Sequence, residues 1–159
     1  MSLVRRLQDT SLDDLSECGG KAARLGEALR AGCPVPDAVV LSTELYRRFM
    51  QQGGLQGEIA SILTTMHPTE IPHFQAVEWA IQSAFKVRRM PTEVQAAIGQ
   101  AWRLMGGSPV GVRSSATNED SPEHSFVGQH TTYLDVDTEQ AAIEAVVSCW
   151  MSLFSAKAL

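Results

Sequence analysis

The chain has 159 residues, 44% of them hydrophobic and 19% charged, a composition that describes one globular domain, or one lobe of a larger one, able to enclose a core. Its formal net charge of −5 argues against general binding to nucleic acid or anionic membranes, though a local phosphate site needs only a few cations or amides. No apolar run approaches the roughly 18 residues of a membrane helix, and the N-terminus shows no signal-peptide core.

In chain order, Ser11-Leu12-Asp13-Asp14 leads into Gly19-Gly20-Lys21. A helix is predicted over 21–31, with Ala22, Leu25, Ala28 and Leu29 on one face. Gly32 is a C-cap signal, and Pro34 and Pro36 enforce an extended segment. Residues 37–41 read as a short buried strand. Ser42 or Thr43 can cap the following helix, whose stripe is Leu45, Tyr46, Phe49 and Met50, and Gly53-Gly54 breaks it. A helix over 55–66 comes next, then one striped by Phe74, Val77, Ile81 and Phe85. Pro91 suits the first position of a third, whose face is Val94, Ala97, Ile98, Ala101, Trp102 and Met105. These three form a helical insert that packs the core, closed by Gly106-Gly107.

Residues 109–113 read as a strand with Val110 and Val112 on one face and Gly111 and Arg113 on the other, so the arginine reaches an open side. A second strand is expected over 131–136. The final helix carries Ile143, Val146, Val147, Trp150 and Phe154 on one side, and the chain reads as interrupted at Leu159, without a stop signal. Trp102 and Trp150 are expected in the core. No repeat, low-complexity stretch or interdomain linker is visible. The cysteines, Cys18, Cys33 and Cys149, form no Cys-x-x-Cys or disulfide framework, which points to a reducing, cytoplasmic setting.

Three features bear on chemistry. Gly19-Gly20-Lys21 opens a helix, where amides attract anions, glycine permits close approach and lysine adds a mobile charge. Alone it is equally a turn, and it lacks the Walker A spacing. Arg113 can hold phosphate oxygens in bidentate fashion, or else pair with Glu119 or Asp120. The segment 125–132 offers Gly128 and several hydroxyls, or is simply a hairpin connection. Two cations on separate strand–helix units with a glycine-containing loop suit a triphosphate, whose transfer chemistry is mostly positioning and electrostatics.

The segments Gly19-Gly20-Lys21-Ala22-Ala23-Arg24-Leu25-Gly26-Glu27, Val35-Pro36-Asp37, Val112-Arg113-Ser114-Ser115-Ala116-Thr117-Asn118-Glu119-Asp120, Ser125-Phe126-Val127-Gly128-Gln129 and Cys149-Trp150-Met151-Ser152-Leu153-Phe154 occur in this order. The chain resembles the N-terminal nucleotide-binding region of the phosphoenolpyruvate synthase and pyruvate, phosphate dikinase family, to which rifampicin phosphotransferase is related. The resemblance implies an α/β (α+β) fold, the first lobe of an ATP-grasp unit, with a small mixed sheet and several helices. It implies ATP phosphates bound by Lys21 and Arg113 under a loop that includes Gly128, Gln129 and Thr132. The small polar loop after Arg113 is then expected to cover the nucleotide.

The resemblance also marks what residues 1–159 lack. A second ATP-grasp half with the acidic magnesium ligands, the swivelling phosphohistidine domain and the pyruvate-binding barrel have no counterpart here. None of the four histidines sits in a Thr-x-x-Gly-Gly-x-x-x-His context, and His124 and His130 read as solvated loop residues. The chain is expected to be a partial nucleotide-binding domain, without catalytic or metal-ligating residues of its own and inactive alone. ATP would phosphorylate a histidine elsewhere, which passes the group to pyruvate. An antibiotic-phosphorylating enzyme using the same lobe, or a free-standing non-catalytic module, are the alternatives. An apolar face exposed by the missing lobe could drive homodimers.

Overall fold

The structure, a computed structural model, describes residues 2–65, 71–107, 109–117 and 132–155. Strands β1 (Val4–Arg6) and β2 (Val39–Leu41) form one antiparallel pair, and β3 (Val110–Arg113) and β4 (Thr132–Val136) form another. Six α-helices surround them among the described residues: α1 (Leu15–Arg30), α2 (Thr43–Gln51), α3 (Leu55–Thr64), α4 (Ile71–Lys86), α5 (Thr92–Leu104) and α6 (Glu139–Met151). The fold is α+β, as the sequence predicts, with its described strands in two antiparallel ribbons rather than one mixed sheet. Strand β1 has no counterpart in the sequence reading, because three residues carry too little periodicity to recognise. It exists by pairing Val4 with Leu41 and Arg6 with Val39.

Local signals set most helix ends. Helix α1 stops at Gly32, which takes φ 81°, while Gly32 N–H donates to Leu29 and Cys33 N–H to Ala28. This is the paired C-terminal closure that a left-handed glycine permits. Gly53 and Gly54, at φ 58° and 75°, separate α2 from α3 where the sequence places a break. Pro91 is the N-cap of α5.

The main core joins both ribbons to the helices. Leu45 and Phe49 of α2, Leu55 and Ile59 of α3, Val77, Ile81 and Phe85 of α4, Val94 and Ile98 of α5, and Ile143 and Val146 of α6 all lie in it, with Val4 and Val136. Helices α3 to α5 thus pack into the core, as expected of the helical insert. Trp102 and Trp150 pack against this core, as expected, and each is half-buried. The Trp150 ring meets Phe49 at 5.0 Å and Tyr46 at 5.7 Å between centroids, at the edge of the cluster. A second, smaller cluster holds α1 to β2 through Leu7, Cys18, Ala22, Ala23 and Val40.

Strand β3 alternates as expected, Val110 and Val112 half-buried, Gly111 and Arg113 exposed. Strand β4 does not. Val110 pairs with Val136 but Val112 with Tyr133, so β4 carries one extra residue. Asp135 absorbs it at φ 54°, a left-handed conformation that Asp tolerates. Leu134 and Asp135 therefore both face outward, and Val136 returns to the core.

Candidate functional site

The start of α1 is the structural centre of the site. Helical backbone begins at Leu15, but Gly19 at φ 81° and ψ 165° interrupts it. The continuous helix is 20–30, and Gly19 stands in its N-cap position. That backbone region is essentially glycine-only. An N-cap side chain normally accepts a hydrogen bond from an amide two or three residues on. Glycine has none, and Ser115 replaces it: its Oγ accepts from Ala22 N–H at 3.0 Å. The Ala116 carbonyl accepts from Gly20 N–H at 2.9 Å. Two orphan donors of the first turn are satisfied by a loop far along the chain.

The close approach explains the glycine. A Cβ on Gly19 would overlap the Ser115 carbonyl and lie 2.6 Å from its Oγ. The sequence reading gives Gly19 and Gly20 to an approaching phosphate. In the structure Gly19 admits the backbone of Ser115, and the amides of Gly20 and Ala22 are committed to Ala116 and Ser115. Likewise the segment 114–116 is small because it packs on Gly19.

Lys21, half-buried on the first turn of 20–30, donates from Nζ to the Ser114 carbonyl at 3.1 Å across 93 positions. Its ammonium also lies near Cys149 of α6, a residue only 4% exposed. Burial pushes that thiol up to about 11, with Lys21 pulling the other way. The Ser114 hydroxyl is buried and unpartnered.

Arg113 ends β3 on the exposed face, and among the described residues its guanidinium has no hydrogen-bond or ion-pair partner. Thr132 is its cross-strand partner and is also exposed, so both side chains stand on one face of the ribbon. Leu134, 70% exposed, lies on that face above Gly111, where a Cβ would sit 3.4 Å from its Cδ2. Lys21, Arg113 and Thr132 are thus gathered around the end of β3. Gly128 and Gln129 lie outside the described residues, as do Glu119, Asp120, His124 and His130.

The described part of this region is cationic and hydroxyl-bearing, which fits anionic phosphate and not a divalent metal. Among the described residues no group of three or more His, Cys, Asp or Glu could hold a metal ion. His73 is elsewhere, its ring Nε2 2.8 Å from the Thr65 carbonyl oxygen. No helix of the described residues is long and apolar enough to cross a membrane.

Sequence reasoning missed the cap given by Ser115. The signal present was a glycine at an N-cap position with a serine pair after a distant strand, which nothing local joins. It also missed Arg5, whose guanidinium meets Asp14 at 2.8 Å and Glu17 at 3.3 Å and fastens β1 to the start of α1. This pairing holds the Asp14 carboxyl below its ordinary range, chiefly through the hydrogen bond from Arg5.

The family described as "Pyruvate phosphate dikinase, AMP/ATP-binding domain" matches residues 15–159. A phosphoenolpyruvate synthase from Aeropyrum pernix is 42% identical over 99% of this chain and 20% of its own length. A probable phosphoenolpyruvate synthase from Methanocaldococcus jannaschii is 35% identical, with 100% of this chain and 14% of that protein covered. A rifampicin phosphotransferase from a Streptomyces species is 36% identical over 99% of this chain and 18% of its length. The chain therefore spans a fifth or less of the length of these relatives.

Proposed function

This chain belongs to the pyruvate phosphate dikinase AMP/ATP-binding domain family, and on that premise we propose that it is the first ATP-grasp lobe of a phosphoenolpyruvate-synthase-like phosphotransferase. Lys21 and Arg113 bind the ATP phosphates. Thr132 supplies a hydroxyl beside Arg113, and Gly128 and Gln129 belong to the covering loop. The observation that carries this reading is the convergence of Lys21 and the end of β3, held together across 93 positions.

The arrangement suits the electrostatics of the task. Strand β3 is anchored by Val110 and Val112, so Arg113 extends from a fixed backbone. Its planar guanidinium offers a bidentate fork to phosphate oxygens. Lys21 contributes a compact ammonium with three donors, one of them on Ser114. Together they offset triphosphate charge and orient the terminal phosphoryl group, which is most of what phosphoryl transfer asks of a protein. Magnesium accompanies ATP, with its ligands expected outside this chain. The transferred group goes to a histidine of another domain and then to pyruvate. The protein is read as cytoplasmic, and this lobe as inactive alone.

The test is calorimetric titration with ATP and magnesium, on this chain and on the intact natural protein that carries it. Arg113→Ala and Lys21→Ala should each weaken ATP binding by the worth of a hydrogen bond to a charged group, about 1.5–3 kcal/mol, with unchanged circular dichroism. Normal ATP affinity in both variants sinks the reading. Tight binding by this chain alone favours a free-standing nucleotide-binding module over half of a split site. The match to a rifampicin phosphotransferase supports a second acceptor, and comparing pyruvate with rifampicin as substrates of the intact protein separates the two.

A further inference from the structure

The site holds a device that neither cation explains. Ser114, Ser115 and Ala116 follow Arg113 directly and make three separate attachments to α1: Ser114 carbonyl to Lys21 Nζ at 3.1 Å, Ser115 Oγ to Ala22 N–H at 3.0 Å, and Ala116 carbonyl to Gly20 N–H at 2.9 Å. Gly19 removes the side chain that would keep the two backbones apart. Three consecutive residues bonded to three consecutive helix positions leave little freedom for the strand end and the helix start to move separately.

We infer that Ser115 is a positioning residue for nucleotide binding: by capping α1 from the β3 side it fixes Lys21 relative to Arg113. The inference rests on the reading of those two cations as phosphate ligands. Its physical basis is that two charges on separate elements bind one triphosphate well only if their spacing is set before the ligand arrives; otherwise part of the binding energy is spent ordering them. Of the three attachments, only the one through Ser115 uses a side chain of the loop, so it can be removed by substitution without touching either cation. Ser114 differs from its neighbour, since its hydroxyl has no partner and its link to Lys21 runs through the backbone.

The experiment is a double-mutant cycle on ATP affinity in the intact protein, combined with amide exchange at Ala22. Ser115→Ala should weaken ATP binding roughly tenfold, the scale of a lost helix cap, and should speed exchange at Ala22. Ser115→Thr, which keeps the oxygen, should recover most of the affinity. In a Lys21→Ala background the same Ser115→Ala change should cost less than about twofold, because the cation it positions is gone. Unchanged affinity in Ser115→Ala, an undiminished loss in the Lys21→Ala background, or no recovery in Ser115→Thr would each overturn the inference while leaving the phosphate reading intact. Normal ATP binding by Lys21→Ala and Arg113→Ala would overturn the premise and the inference together. Should Ser115→Ala not fold, Ser115→Cys, a weak acceptor, takes its place in the cycle with the same expectations.

Discussion

Helix α1 and the pair α4 and α5 are each buried along one side, with opposite materials. The buried residues of α1 are Cys18, Gly19, Gly20, Ala22, Ala23 and Gly26. Those of α4 and α5 include Val77, Ile81, Phe85, Val94 and Ile98. The first helix packs by bringing backbones together, the other two by filling volume. A Cβ on Gly26 would overlap the Thr10 carbonyl, as one on Gly19 would overlap Ser115. Thr10 is itself fully buried, its hydroxyl donating to the Leu7 carbonyl at 2.7 Å. The two regions should therefore fail in opposite directions: α1 when atoms are added, α4 and α5 when atoms are taken away. The difference has a functional sense, because close backbone approach at α1 gives a defined position to Lys21, whereas volume filling supplies stability over a broad area.

The strongest test of this contrast is Gly19→Ala. It places an alanine in a glycine-only conformation, a strain of order 1–3 kcal/mol, and adds overlap with Ser115 of similar size. A destabilisation of about 4 kcal/mol is expected in chemical denaturation, together with weakened ATP binding. A change under 1 kcal/mol would remove the close-approach account. Next is Ile81→Ala, at a position with 0% exposure. It should cost about 3 kcal/mol through lost burial and the cavity left behind, with folded protein still binding ATP normally. Were ATP affinity to fall at temperatures where the variant is fully folded, the separation of the two regions would be wrong.

Gly26→Ala comes third, at roughly 2 kcal/mol by overpacking against Thr10. A melting temperature equal to the parent's would show that the Thr10 turn can yield. The smallest effect is expected at Ser42. It occupies the N-cap position of α2, yet its side chain makes no cap bond and its buried hydroxyl has no partner. Ser42→Ala should shift stability by less than about 0.5 kcal/mol, because no hydrogen bond is lost. A loss near the typical cap value of about 1 kcal/mol would mean that the hydroxyl is bonded in solution.

The two serines show where reading the sequence stops. Ser42 lies directly before a helix and takes its N-cap position, but its side chain makes no cap bond. Ser115 lies after a strand and caps a helix 93 positions away. The apolar face of α1 shows the same limit. Periodicity nominates Leu25, which proves to be 39% exposed, while Ala23 and Gly26 are buried. A periodic pattern weights residues by hydrophobicity and so points a helix by its largest side chain. Helix α1 is instead oriented by where its backbone must touch Thr10 and Ser115.

By itself the sequence determined the helices α2 to α6, the stop of α1 at Gly32, the alternation that exposes Arg113, and the family. Each is written in neighbouring residues: a 3.6-residue stripe, a left-handed glycine, a two-residue alternation, a set of short motifs in a fixed order. Tertiary structure alone decided the pairing of β1 with β2, the extra residue at Asp135, the outward turn of Leu25 and the capping of α1 by Ser115. These depend on which backbone amides and carbonyls, far apart in the chain, come within hydrogen-bonding distance once the core has closed. Backbone groups are the same at every residue, so no local pattern announces their partners.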